Sequence, residues 1–351
     1  MFSSMKKIIQ DAKKGKMFIL IDDKNRENEG DLIIPASKID HKKINFMATH
    51  ARGLICLAID KKKAKALKLS LMPNRNSSRL QTAFTVSIEA RKGVTTGISA
   101  KDRALTIKTA IRKNSSSKDI STPGHIFPLV AKDGGVLERA GHTEAAVDIS
   151  KLSNCGSSGV ICEIMNEDGS MAKGKSLLKY AKKFKLNIAR IEDLIAYRLK
   201  RETLIKLKRV EEVNITPNEK YKVKIYENKL DGKEHIALIK GKKIRGLPRV
   251  RVISSNIVTS FLSRNKDNLS INKTFKYFEK FQNCILIIIR DEVINNKDKR
   301  NNDSGLRNYG IGAQILRNLN VKKMILITKF KKNIIGLKGF GIKIIKQEII
   351  K

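Results

Sequence analysis

Apolar residues fall along this chain in short, separated runs whose spacing alternates between helical and strand-like. Met5, Ile8, Ile9 and Ala12 recur at helical intervals within residues 4–14, and Gly15 stops the run. Residues 17–21 form an unbroken apolar run of strand length, and residues 32–36 return as a second strand. Asp40 is placed to cap a helix carrying Ile44, Met47 and His50 that ends near Gly53, after which residues 54–59 resume strand character. The same reading predicts strands over 84–89, 135–138, 160–165 and 187–191. It predicts helices over 143–152, 173–184 and 192–201, and one running from Ser99 through Ile111, with Ser99 and Asp102 at near capping-box spacing. Residues 72–83 and 114–121 are polar and read as surface loops.

The chain is long for one core. At 351 residues with 41% hydrophobic content it predicts two domains, 1–204 and 213–351, with the charge-dense stretch 202–212 leading to a fresh start at Thr216-Pro217. The first domain is expected as a three-layer α/β/α arrangement on a mixed sheet, the second as a further α/β domain, giving an α+β chain overall.

A formal net charge of +39 invites a nucleic-acid reading, since basic surface drives phosphate binding. Aromatic residues make up only 5%, there is no Trp, and no stacking motif interleaves with the basic residues, so no specific nucleic-acid partner is expected. A basic surface still draws in anionic sugar phosphates. Cys56, Cys155, Cys162 and Cys284 lie far apart with no C-x-x-C pair, which predicts neither a zinc framework nor a disulfide scaffold and fits a reducing, cytoplasmic compartment. The longest apolar runs, such as 284–289, are too short to cross a bilayer, so no membrane partner is expected.

Chemistry concentrates in four stretches. Arg26-Glu27-Asn28-Glu29-Gly30-Asp31 follows an apolar strand and two more acids, Asp22 and Asp23. Carboxylates crowded onto a strand exit repel unless a cation sits among them, and a hard divalent ion needs only one or two of them plus substrate oxygens. Arg139-Ala140-Gly141-His142-Thr143-Glu144 stands where a strand is expected to give way to a helix, so free backbone N–H groups, Arg139 and Thr143 can hold a phosphate and His142 can ligate a metal. Thr122-Pro123-Gly124-His125 places an imidazole on rigid backbone. Glu163 lies in an apolar strand, where an unpaired carboxylate is costly unless it lines a cleft; a cleft acid with a raised pKa carries protons well. His41 and His50 read as surface or packing residues. Together the four stretches describe a phosphosugar site with a metal.

These stretches, with the Gly93-Val94-Thr95-Thr96-Gly97-Ile98-Ser99-Ala100-Lys101-Asp102-Arg103-Ala104 run between them, resemble 3,4-dihydroxy-2-butanone-4-phosphate synthase of riboflavin biosynthesis, in order over about residues 17–198. The resemblance implies conversion of D-ribulose 5-phosphate to L-3,4-dihydroxy-2-butanone 4-phosphate and formate, with Mg2+ or Mn2+, two ions per site. It implies metal ligation by Glu27 and His142, and substrate binding by Arg26, Glu27, Asp31, Arg139, Ala140, Gly141, His142, Thr143 and Glu163. Proton transfer would fall to His125 and Glu163. A homodimer with its sites near the subunit boundary is implied as well. Roles for Asp22, Asp23, Glu29, Cys56 and Asp102 stay open.

From about Val213 the chain resembles GTP cyclohydrolase II, on the segments 235–241, 307–316 and 336–341. That family holds zinc through three cysteines. Here the corresponding region reads Arg251-Val252-Ile253-Ser254-Ser255-Asn256, and no Cys occurs between Cys162 and Cys284, so no zinc is expected. The phosphate clamp reads Asp291-Glu292-Val293-Ile294, and the acid two places before Arg307 is Gly305. Arg307 and Thr328 survive, and the expectation is a domain that keeps its core and has lost GTP hydrolysis. The competing expectations are a bifunctional enzyme still acting on GTP, and a basic nucleic-acid-binding protein on a retired enzyme scaffold.

Overall fold

The apolar runs of the first 200 residues become the strands of one sheet. A computed structural model describes residues 2–24, 26–72, 82–216, 219–241, 246–255, 266–290, 302–330 and 341–350, and divides the chain into two compact units, Met1–Tyr197 and Arg198–Lys351. In the first unit the strands are β1 (Phe18–Ile21), β2 (Gly30–Pro35), β3 (Cys56–Ile59), β4 (Ile88–Ala90), β5 (Ile120–Val130), β6 (Ser158–Glu163) and β7 (Asn187–Arg190), in the spatial order β4-β5-β3-β6-β2-β1-β7. The sheet is mixed: β3–β5 and β1–β7 pair parallel, while β1–β2, β2–β6, β3–β6 and β4–β5 pair antiparallel.

Side chains alternate across this sheet, and both faces are covered. Ile19, Leu32, Ile34, Leu57, Ile59, Val160 and Cys162 pack into a core with Ile44 of α2 (His41–Phe46), Ile107 of α4 (Ala100–Ile111) and Leu177 of α6 (Lys175–Lys183); Ala64 of α3 (Lys61–Ala66) joins them. The other face receives α1 (Met5–Lys13) and α5 (His142–Leu152). Each fully buried Ile or Leu on either face contributes about 1.5–3 kcal/mol relative to exposure. The three-layer expectation therefore holds, and the unit ends at Tyr197 within α7 (Ile191–Arg201).

The helix caps follow the residues named from sequence. Asp40 accepts the Lys43 amide at 2.9 Å, and Ser99 accepts that of Asp102 at 3.0 Å. Three expectations change. Gly135–Leu137 is a 3-10 turn, with Gly135 at φ 59°, a conformation that no strand adopts. The strand expected over 84–89 is confined to Ile88–Ala90, preceded by isolated bridges at Phe84 and Thr85. The charge-dense stretch expected to link the domains is instead a strand, β8 (Ile205–Thr216), at the edge of the second sheet. Residues 206–214 are exposed on both faces, and register shifts at Leu207/Arg209 and Asn214/Thr216 break the alternation, so nothing in the pattern marked a strand. Most of the loop expected over 72–83 lies outside the described residues.

The second unit carries its own sheet, in the order β14-β13-β11-β12-β10-β9-β8. The remaining strands are β9 (Glu219–Asn228), β10 (Glu234–Lys240), β11 (Arg249–Ser255), β12 (Cys284–Arg290), β13 (Lys323–Thr328) and β14 (Lys343–Ile349). One face packs Ile311, Ile315 and Leu316 of α9 (Asn302–Asn318), and the other packs Phe278 of α8 (Lys266–Phe278). Cys284 is buried in β12. The 291–294 segment, the Arg307 side chain and most of 336–341 lie outside the described residues. Among those described, no helix is long and apolar enough to cross a membrane.

Candidate metal and phosphosugar site

The site begins with a loop that folds around one carboxylate. Asp22, at the exit of β1 and 5% exposed, accepts the backbone N–H groups of Glu27 at 3.1 Å and Glu29 at 2.9 Å, and Arg26 Nη1 at 2.7 Å. Asn28 makes the return possible with φ 56°, a left-handed conformation that Asn tolerates better than most residues. Lys173 braces the outside, donating to Glu27 O at 3.0 Å and lying 3.3 Å from Glu29. Asp22, whose role the sequence left open, is thus the loop's anchor.

That loop faces the start of α5. The ring of His142 is 6% exposed and donates Nε2–H to Leu20 O at 3.2 Å, which fixes the tautomer and leaves the Nδ1 lone pair facing Glu27 Oε2 at 3.8 Å and Asp31 Oδ1 at 3.6 Å. Burial pushes the imidazole pKa down to about 4, with Arg26 and Arg139 acting in the same direction and Asp22 against it, so the ring is neutral at physiological pH. Asp22, Glu27 and His142 each offer a donor atom within 4.8 Å of the others. Glu27 also meets Arg26 Nη1 at 2.5 Å.

The carboxylates outnumber their counter-charges. Asp31 on β2 stands directly opposite Glu163 on β6 in the strand register. Burial first, then the charges of Glu163, Glu27 and Asp22, hold the Asp31 carboxyl well above the usual carboxylate range. Burial also raises Glu163 and Glu27. The buried guanidinium in their midst is Arg26, which Glu27 and Asp22 raise against the effect of burial. One such group does not balance four acids. A neutral imidazole beside hard oxygen donors and uncompensated negative charge is a donor set that fits a divalent cation.

Glu163 is held by a close approach. Its Oε2 accepts the Leu54 amide at 2.8 Å, and a Cβ on Gly53 would lie 2.4 Å from Glu163 O and 2.7 Å from its Oε2. Cys56, buried on β3, has its thiol pushed up by burial and by Glu163 and Asp31 beside it, so it stays protonated next to the site.

The expected phosphate cradle takes a modified form. Arg139 is held by Glu144 Oε2 at 2.7 Å and by Thr82 Oγ1 at 3.0 Å. A Cβ on Gly141 would meet Arg139 Nη1 at 2.4 Å and Glu144 Oε2 at 2.8 Å, so a larger residue there would displace the guanidinium from its present position. Gly141 N donates to Arg139 O at 2.9 Å and is not available to an anion, contrary to expectation. Gly141 is the N-cap of α5 and provides no side-chain cap, which leaves the first-turn amides from His142 and Thr143 as the donors.

The structure does not bring His125 into this cluster. It sits on β5, with β3 between it and β6, and its Nδ1 meets Glu89 Oε2 at 2.6 Å. Asp102 is structural: it accepts Thr95 Oγ1 at 2.7 Å and Gly97 N at 3.2 Å, closing the turn before α4. Sequence reasoning missed Glu89 and Glu144. Their partners lie 36 and 5 residues away, and only the second spacing left any trace in the chain.

Comparison with known proteins agrees with this geometry. Residues 6–197 match the family of 3,4-dihydroxy-2-butanone 4-phosphate synthase, and residues 208–349 match that of GTP cyclohydrolase II. The riboflavin biosynthesis protein RibBA of Aquifex aeolicus is 41% identical over 100% of this chain and 93% of its own length. The 3,4-dihydroxy-2-butanone 4-phosphate synthase of Neisseria meningitidis serogroup B is 40% identical over 99% of this chain and 98% of its own. Among solved structures, RibBX of A. baumannii, a two-domain 3,4-dihydroxy-2-butanone 4-phosphate synthase, superposes with a TM-score of 0.88 at 36% identity, covering 99% of this chain and 100% of that one. A 3,4-dihydroxy-2-butanone 4-phosphate synthase solved with two magnesium ions covers 57% of this chain and 98% of its own, with a TM-score of 0.55 at 36% identity.

Proposed function

This chain belongs to the 3,4-dihydroxy-2-butanone 4-phosphate synthase family of riboflavin biosynthesis, and on that premise we propose how its residues divide the work of converting D-ribulose 5-phosphate to L-3,4-dihydroxy-2-butanone 4-phosphate and formate. The observation that carries the division is the fixed tautomer of His142, whose free lone pair faces the carboxylates of Glu27 and Asp31.

Glu27 and His142 would hold magnesium or manganese, two ions per site, with Asp22 setting the loop that carries Glu27. A bound divalent ion there supplies Lewis acidity toward the sugar's carbonyl and hydroxyl oxygens. Arg139, oriented by Glu144 and Thr82, and the first-turn amides and hydroxyl at Thr143 hold the phosphate and set the register of the chain of carbons. Asp31 hydrogen-bonds the sugar's polar end, and Arg26 balances the carboxylates that surround it. Glu163, whose pKa burial raises above the ordinary carboxylate value, exchanges protons with the substrate, while Leu54 N–H keeps the carboxyl aimed. His125 serves as the second proton carrier. It is carried on a different part of the sheet from the metal donors and is 42% exposed, which supports a homodimer whose sites lie at the subunit boundary. A sedimentation mass of one chain under turnover conditions would end that part of the proposal.

The second domain has lost GTP hydrolysis on this reading, because no cysteine lies between Cys162 and Cys284 to hold zinc. The roles that remain to it are those of a scaffold, a dimerisation surface or a regulator of the first domain. Four free cysteines and the absence of a candidate membrane-spanning helix among the described residues support a cytoplasmic location. The deciding experiment is formate release from ribulose 5-phosphate with Mg2+, stopped by EDTA and restored by excess Mg2+. Release undiminished by chelation would remove the metal from the scheme.

A further inference from the structure

We propose that Glu89 is a positioning residue for His125, and that the Thr95–Gly97 turn exists to seat it; this rests on His125 being a proton carrier. An ionised carboxylate only accepts hydrogen bonds, so the 2.6 Å contact between Glu89 Oε2 and His125 Nδ1 makes Nδ1 the protonated nitrogen of the neutral ring. No other hydrogen bond engages the ring among the described residues. Nε2 therefore carries the open lone pair, and it is the atom that takes up and returns the substrate proton.

The carboxylate is itself held, by Thr106 on one oxygen and against Gly97 on the other. Glu89 Oε1 accepts Thr106 Oγ1 at 3.1 Å, and that hydroxyl in turn accepts Ala90 N at 3.0 Å, so its single proton is directed at Glu89. Gly97, at φ 87°, lies against Glu89 so closely that a Cβ there would stand 2.0 Å from Oε2. Thr95 and the Gly97 amide are pinned by Asp102, whose carboxylate therefore fixes the wall behind Glu89. Glu89 is 13% exposed by side chain while His125 is 42% exposed, an arrangement of a shielded acid behind an accessible imidazole. The imidazole is steadied from the other direction: Gly124 donates to Ser87 Oγ at 3.1 Å, and a Cβ on Gly124 would meet Ile88 C at 2.2 Å. Asp102, Thr95 and Gly97 of the 93–104 run, with Thr106 just beyond it, thus serve a single hydrogen bond.

Glu89→Gln tests this without removing the side chain. Because the Thr106 hydroxyl must donate to position 89, the Gln carbonyl turns toward Thr106 and its NH2 toward His125, which forces the proton onto Nε2. Long-range 1H–15N spectra of the labelled full-length chain, with the His125 signals assigned by their loss in His125→Ala, should show Nδ1 protonated in the natural protein and Nε2 protonated in Glu89→Gln. Turnover should fall about 100- to 10,000-fold, the range for a base locked in the wrong tautomer, with KM within about threefold. Glu89→Asp keeps the charge and should keep the Nδ1–H tautomer, with an intermediate rate; it also serves if the Gln variant does not fold. An unchanged tautomer with turnover within about twofold in Glu89→Gln, or Glu89→Asp performing no better than Glu89→Gln, overturns the proposal. Natural turnover in His125→Ala would instead show that His125 is no proton carrier, a failure of the earlier reading that is separate from any result at Glu89.

Discussion

Replacing Asp31 by Asn should make the first domain more stable and leave it unable to turn over. Asp31 is 3% exposed and stands opposite Glu163 in the strand register. Directly opposed side chains have Cβ atoms about 5 Å apart, and two unit charges at that distance repel by about 3 kcal/mol at an effective dielectric of about 20. Arg26 offsets part of this, so relief of about 1–3 kcal/mol is expected on neutralising one partner. For a domain of this size that corresponds to a rise of about 2–12 °C in the unfolding midpoint. The sign with pH follows from the raised folded-state pKa. Folded protein takes up a proton at Asp31 where the unfolded chain does not, so the natural protein gains stability as pH falls through the folded carboxyl's range toward the ordinary one. The advantage of Asp31→Asn should accordingly be greatest at neutral pH and fade on acidification. Mg2+ should narrow the difference by stabilising the natural protein more than the variant. Calorimetry in EDTA at neutral and acidic pH, with formate release as the activity readout, measures all of this. A variant that melts below the natural protein at neutral pH would refute the argument that the site stores unfavourable charge.

Three further outcomes are expected. Glu163→Gln should lose about 100- to 10,000-fold in turnover with little change in KM, and a near-natural rate would take Glu163 out of the proton path. Gly53→Ala should cost about 1–3 kcal/mol, because its Cβ would be driven into Glu163; turnover should fall with it, and a thermal melt with unchanged midpoint and rate would show that the loop yields freely. GTP should give no pyrimidine product at any zinc concentration, and product detected chromatographically would restore a second active site.

Much of the first domain was legible in the sequence because its candidate chemistry is local. Glu27 and Asp31 lie within one loop and the strand that follows it, and His142 begins its own helix, so short motifs carried both proposed metal donors. Caps at Asp40 and Ser99 were readable for the same reason. Errors came where register or exposure overrode pattern. β8 was concealed because it is charged on both faces and twice out of register, and the turn at 135–137 because its apolar run carries a glycine at positive φ.

Residue types and their spacing alone determined that the chain has two domains, where its helices start, the crowding of acids before β2 and the lack of any Cys between Cys162 and Cys284, since each is a property of composition or of neighbours along the chain. Tertiary structure decided that Asp22 anchors the loop, that Asp31 faces Glu163, that Gly53 and Leu54 grip a carboxylate more than a hundred residues away, and that Glu89 holds His125. Those contacts are set by strand order and by which face of the sheet each side chain occupies, and no window along the chain contains that information.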